Sequence, residues 1–186
     1  MKAVFTNALT SARYLPAVAL LTLALWLLDS QKACSQTVYV TPEGAGERTG
    51  VDWANALPGE QLQPQLAAST AGSVFRLAGG IYKPTTTSDR LVSFTIPAGV
   101  SVFGGYMGIG ANPDTRVNFS QARQPSSTTL SGDIDSDNQL NSTNANNVVV
   151  FKNAGTVNSF SPTRLDGVVI TGVPGSKCYY LSGNYS

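Results

Sequence analysis

From Val38 onward the chain alternates short apolar segments with glycine, proline, asparagine and aspartate. The segments are Val38 to Val40, Val74 to Leu77, Val92 to Ile96, Val100 to Phe103, Thr128 to Leu130, Val148 to Phe151 and Val168 to Ile170. Each is three to five residues long, is rich in Val, Ile, Phe and Thr, and is followed by turn-forming residues, so each is expected to be a strand. One stretch breaks the pattern. Trp53, Ala54, Ala56 and Leu57, then Leu62, Leu66 and Ala67, fall near helical spacing with Gly72 as a stop. Pro64 is tolerated only in a first turn, which predicts a short helix around Gln63 to Ser69, preceded by a turn.

The spacing of the strand-and-glycine units suggests a repeat. Gly80, Gly105, Gly132 and Gly172 follow successive apolar segments, and Val148 to Phe151 falls midway in the last and longest gap. A unit recurring roughly every 20–27 residues suits a coil of a parallel β-solenoid, in which each rung buries its inward side chains on its neighbours. A β-sandwich, the competing all-β architecture, places strands at about 8–12-residue intervals. The spacing here is longer and favours the solenoid, with the short helix as a cap over its open end.

The segment 1–35 is read as an export signal. Lys2 and Arg13 precede an apolar run from Leu15 to Leu28, which falls short of the ~20 residues that a membrane span needs. Ala33 and Ser35 are small residues placed for cleavage before Gln36. A retained anchor helix, or lipidation at Cys34, is the alternative; Gln31 and Lys32 fit a lipidation signal poorly. Beyond Gln36 one cysteine remains, Cys178, so the expected domain is held by burial and hydrogen bonds and not by an internal disulfide. The organisation expected is thus a signal peptide over 1–35, an N-terminal strand and capping helix over 36–72, rungs over 73–172 and an irregular tail over 173–186.

Composition narrows the chemistry. Only 12% of residues are charged, and from Gln36 onward nine Lys and Arg nearly balance ten Asp and Glu, leaving no basic patch for a nucleic-acid partner. The chain has no histidine, which removes a Ser-His-Asp triad and the usual zinc sites.

The succession Val38-Tyr39-Val40, Gly50-x-Asp52-Trp53-Ala54-x-Ala56-Leu57, Leu62-Gln63, Gly72, Gly79-Gly80-x-Tyr82, Gly104-Gly105-Tyr106, Thr129-Leu130-Ser131-Gly132-Asp133 and Leu165-Asp166-Gly167-x-x-Ile170-Thr171-Gly172 resembles the N-terminal section of the pectin-lyase-like right-handed parallel β-helix proteins. It is most similar to surface proteins of the polymorphic outer membrane protein and Bacteroidetes type. The resemblance implies an all-β, right-handed parallel β-helix with a short N-terminal capping helix, in a secreted, cell-surface or outer-membrane bacterial protein. Such proteins continue for further rungs, so the chain is expected to be a truncated segment. The fold hosts adhesins as well as polysaccharide lyases and glycoside hydrolases, and does not by itself specify a chemistry.

Two sets of residues are candidates for chemistry. Asp133, Asp135 and Asp137 alternate and are followed by Asn138, as in loops that converge oxygen ligands on Ca²⁺; Asn138 and Asn144 stand where such a loop has Gly and Glu, and a solvated connecting loop without tight Ca²⁺ affinity is the expectation. Arg164, Asp166 and Lys152 are the catalytic candidates, in a lyase with a basic residue as base or a hydrolase with paired carboxylates. Charge at the rung edges facing water is the favoured reading of all three. Tyr82, Phe103 and Tyr106 are read as packing residues before sugar-stacking ones. The function expected is therefore adhesive or structural, with carbohydrate or cell-surface ligands as partners and no resident cofactor. A carbohydrate-active enzyme fragment and a gene remnant are the alternatives.

Overall fold

A computed structural model of the 186-residue chain describes residues 36–116, 127–152, 162–172 and 179–182, the last as backbone. The expected signal sequence, Cys34 and Cys178 lie outside the described residues. Within these bounds the protein is mostly β, with three parallel sheets and one short helix.

The strands are β1 (Thr37–Thr41), β2 (Leu57–Pro58), β3 (Val74–Ala78), β4 (Gly80–Tyr82), β5 (Phe94–Pro97), β6 (Ser101–Tyr106), β7 (Thr128–Ser131), β8 (Val149–Lys152), β9 (Arg164–Asp166), β10 (Val168–Thr171) and β11 (Tyr179–Ser182). The first sheet runs β2-β1-β3-β6-β9, the second β10-β7-β4 and the third β11-β8-β5, and every strand pair in them is parallel. From β3 onward the chain visits the sheets in rotation, so each strand pairs with the strand three places later.

Inward positions stack in columns. Val38, Phe75, Val102 and Leu165 are register partners across the first sheet. Tyr82, Leu130 and Ile170 are partners across the second, and Ile96 and Phe151 across the third. All of these side chains belong to one apolar cluster. Burying a side chain such as Phe75 or Leu77 contributes about 1.5–3 kcal/mol, so the columns are the main stabilising feature. The alternating burial along β3 and β5 is the period-2 signature that the apolar segments predict.

The expected helix is present as α1 (Leu62–Ala68). Pro64 is its third residue, where no intrahelical donor is lost. Leu62 and Leu66 turn inward and are fully buried. Two 3₁₀ turns precede the helix: Gly59–Gln61 directly before it, and Trp53–Asn55 before β2, the latter capped where the Asp52 carboxylate accepts from Asn55 N at 2.8 Å. This capping explains why Asp52-Trp53-Ala54 makes a turn and does not begin a longer helix.

Several expectations need correction. Gly79-Gly80-Ile81-Tyr82 is not a plain turn: the chain re-enters a sheet at Gly80 as β4. Gly104-Gly105 does not end a strand but forms a bulge within β6, because Arg76 faces Phe103 while Ala78 faces Tyr106. Gly105, at φ +82°, supplies the backbone conformation that the bulge requires. The tail is not wholly irregular, since Tyr179–Ser182 pairs in parallel with β8. The spacing of the glycine-ended units is the stacking period only from β3 to β6, and the other stacking steps are longer. Val74 aligns with Ser101, which aligns in turn with Arg164, while Gly80 aligns with Thr128, which aligns with Val168. From β3 onward a strand therefore meets its partner after a full circuit of the three sheets. The units Val74 to Leu77 and Val100 to Phe103 share the first sheet, Thr128 to Leu130 and Val168 to Ile170 share the second, and long connections make the spacing uneven.

Candidate functional sites

The outward face of the first sheet carries a continuous column formed by Tyr39, Arg76, Phe103 and Asp166. Around it, Arg76 lies over the rings of Tyr39 and Tyr106, both at 5.5 Å; Arg116 lies over Phe103 and Tyr106, and Arg164 lies over Phe103 at 5.1 Å. Carboxylates complete the layer. Asp114 accepts from Trp53 Nε1 at 3.0 Å and from Arg76 at 2.8 Å. Asp166 pairs with Arg164 at 2.7 Å and with Arg116 at 3.5 Å. The guanidiniums occupy the ring faces that a sugar would need, and each carboxylate is engaged by arginine. Chemically, this is an amphipathic cover for the sheet.

The three catalytic candidates do not assemble into one site. Arg164 and Asp166 share β9 and form an ion pair. Lys152 ends β8 in the third sheet, in register with Pro97 and Ser182, whereas Arg164 opens β9 in the first. Tyr82 is buried, and its hydroxyl donates to Ala78 O at 2.9 Å, with Val40 O at 3.2 Å. Its ring stacks with the core, which raises its phenol well above the ordinary value through loss of solvation.

The connection from β7 to β8, residues 132–148, holds the acidic triplet. One carboxylate oxygen from each of Asp133, Asp135 and Asp137 lies within 4.8 Å of the others. Asp133 is partly buried and accepts from the backbone of Asp137 and Asn138, both at 3.2 Å. Asp137 accepts from Gln139 N at 2.7 Å and from Asn141 Nδ2 at 2.6 Å. The Thr143 hydroxyl beside Asp135 holds that exposed carboxyl below its usual range. Lys83 ties the loop tip by donating to the Ser136 hydroxyl at 2.5 Å. As expected, the triplet lies on an exposed loop between strands, and the fold brings its three carboxylates together.

The same loop walls a cavity of about 490 Å³ at the end of the second sheet, bordered by Lys83, Ser131, Asp133, Asn144, Thr171 and Gly172 among others. Sequence reasoning missed the importance of Asn144. It is fully buried, its Nδ2 donates to Gly172 O at 3.1 Å, and its Oδ1 has no partner among the described residues. No sequence signal separates it from the neighbouring asparagines, because its burial depends on Gly172, far along the chain beyond β10.

Among the described residues, no helix is long and apolar enough to cross a membrane. In comparisons with family models, with curated proteins and with solved structures, nothing matches this chain.

Proposed function

We propose that this chain forms rungs of a right-handed parallel β-helix in an exported bacterial protein, at the cell surface or secreted, where it serves an adhesive or structural role and not catalysis. The observation that carries this reading is the rotation of the strands from β3 to β11 among three sheets, with parallel pairing throughout. Stacked coils produce that order, because each turn of the chain adds one strand to every sheet. The continuous inward columns agree with it, as does α1 lying against β5, the edge strand of the third sheet.

The non-catalytic part of the reading rests on the outward groups. Arg164 and Asp166 are committed to each other, and Lys152 sits on a different sheet. A scaffold that presents a rigid, polar outer surface suits carbohydrate or cell-surface ligands. The test is to express the full chain in a bacterial host, determine its location and N-terminus by fractionation and mass spectrometry, and assay it on pectin and alginate. Export with a new N-terminus at Gln36 and no release of sugar ends is expected. Release of unsaturated or reducing ends that is abolished by Asp166→Ala or Arg164→Ala overturns the non-catalytic role, and retention of intact Met1 in the cytoplasm overturns export.

A further inference from the structure

The outward face of the second sheet holds a groove that the folded chain leaves open. Tyr82, Leu130 and Ile170 point into the core, so Ile81, Thr129 and Thr171, their neighbours along β4, β7 and β10, point outward. These three residues floor the cavity of about 490 Å³, and the β7–β8 loop walls it with Gln139 and Leu140. Pockets for small molecules measure about 300–1,000 Å³ and join apolar surface to a few placed polar groups. Ile81 and Leu140 supply the apolar surface, and at 64% and 72% exposure both are left to water.

The polar groups of the groove have bonding capacity to spare. The hydroxyls of Thr129 and Thr171 and the side-chain amide of Gln139 make no hydrogen bond among the described residues. Lys83 is half-buried in the same lining, and its ammonium donates to the Ser136 hydroxyl without any carboxylate partner among the described residues. Two of its three donors therefore remain. Asp133, the acid of the lining, accepts instead from the backbone of Asp137 and Asn138. The loop is tied in place by Lys83 at Ser136 and by Asn144 Nδ2 at Gly172 O, so the wall is set before a ligand arrives.

We propose that this groove binds a short saccharide bearing a carboxylate, with Lys83 pairing to the carboxylate, Thr129, Thr171 and Gln139 bonding to sugar hydroxyls, and Ile81 and Leu140 lying against the C–H surface of the rings. The proposal rests on the reading of the chain as a scaffold for carbohydrate ligands, and adds the place of binding and the charge of the ligand. A sugar hydroxyl both donates and accepts, as do threonine hydroxyls and a glutamine amide. A small inorganic anion leaves the aliphatic walls and the hydroxyls unused, and a wholly apolar ligand covers the Lys83 ammonium without a partner. The first sheet offers no equivalent, because Arg76, Arg116 and Arg164 are already paired with Asp114 and Asp166.

The test is calorimetric titration of the full chain with cellobiouronic acid and with sialyllactose, using cellobiose and lactose as their neutral counterparts. At least one of the acids is expected to bind with one-to-one stoichiometry, about tenfold or more tightly than its counterpart, the scale of a lost charge-assisted hydrogen bond. Which acid binds distinguishes a uronic from a sialic ligand. Lys83→Met is expected to weaken binding by about tenfold or more, and Gln139→Ala by roughly threefold. The melting temperature of Gln139→Ala should not change, since that side chain holds no partner within the described protein. If Lys83→Met does not fold, Thr129→Val takes its place with a roughly threefold loss. No saturable heat from either acid up to millimolar concentration overturns the proposal, as does equal affinity for the neutral counterparts. Acid binding that persists unchanged in Gln139→Ala or in a folded Lys83→Met overturns the groove as the site and leaves the carbohydrate reading standing, whereas fractionation and the sugar-release assay test the scaffold reading separately.

Discussion

Gln63 Oε1 accepts a hydrogen bond from Thr95 N at 2.8 Å, so a side chain of α1 satisfies a backbone donor on the edge strand of the third sheet. Edge strands carry unpaired donors and acceptors that invite pairing with other chains. The helix therefore packs Leu62 and Leu66 into the core with one face and occupies an open donor with another residue. Gln63→Ala leaves Thr95 N without this partner and is expected to cost about 1–2 kcal/mol. Gln63→Glu, which keeps an acceptor, should lose less, and urea unfolding followed by circular dichroism distinguishes the two.

Trp53 depends on a partner distant in sequence. Its ring packs edge-on against Tyr39 at 4.9 Å and is 8% exposed, while its Nε1 donates to Asp114. Asp114→Ala removes the acceptor for both Trp53 and Arg76, with an expected loss of about 1–2 kcal/mol and a change in tryptophan fluorescence. Asp114→Asn retains an acceptor for the indole and is expected to preserve most of the native fluorescence.

Glycine at position 104 is required by close packing at a corner. A Cβ there would stand 2.5 Å from Gly167 O and 2.7 Å from a Val168 methyl, both fixed by the neighbouring strands. Gly104→Ala is therefore expected to destabilise by about 1–3 kcal/mol, as overpacked sites do. Gly110 provides the comparison: nothing lies within 4 Å of its added Cβ, but its φ is +83°. Gly110→Ala should cost about 1 kcal/mol through backbone strain alone, and thermal melts of the two variants test the difference.

Tyr82 makes stability depend on alkaline pH. Burial raises its pKa above the ordinary value of about 10 because the folded protein disfavours the phenolate. The folded state thus holds the proton more tightly than the unfolded chain does. The associated stability is fully present below pH ~10 and falls as pH rises beyond it. Tyr82→Phe is expected to flatten this part of the pH profile, while losing about 1 kcal/mol at neutral pH with the bond to Ala78 O. Denaturant midpoints between neutral pH and pH ~11 measure both effects.

Strand position sets local protection. β6 pairs on both sides, with β3 and β9, whereas among the described residues β10 pairs only with β7. Amides of Val168 to Ile170 are expected to exchange with solvent much faster than those of Val102 and Phe103, because edge pairing opens without disturbing a second ladder. Equal protection measured by hydrogen exchange would mean that β10 is covered on its other side.

Much of the element content was legible along the chain. Val, Ile, Phe and Thr in short runs followed by turn-forming residues marked β1, β3, β5, β6, β7, β8 and β10, because a half-buried pleated surface favours those side chains. Leu62 and Leu66, one helical turn apart, marked the buried face of α1, and Pro64 placed its first turn. The alternation of Asp133, Asp135 and Asp137 identified a candidate ligand set before its geometry was known, since residue type and spacing are local properties. Partner choice is not local. Arg164-Leu165-Asp166 and Gly80-Ile81-Tyr82 are too short and mixed to mark strands alone; they are strands because β6 and β7 offer them open ladders. Nothing local separates Lys152 from Arg164, yet the rotation of strands among sheets puts them on different sheets. Asn144 has no distinguishing local pattern, and its burial arises where the β7–β8 loop meets Gly172. Tertiary pairing brings such distant segments together, so it alone decided which polar atoms were solvated and which were buried.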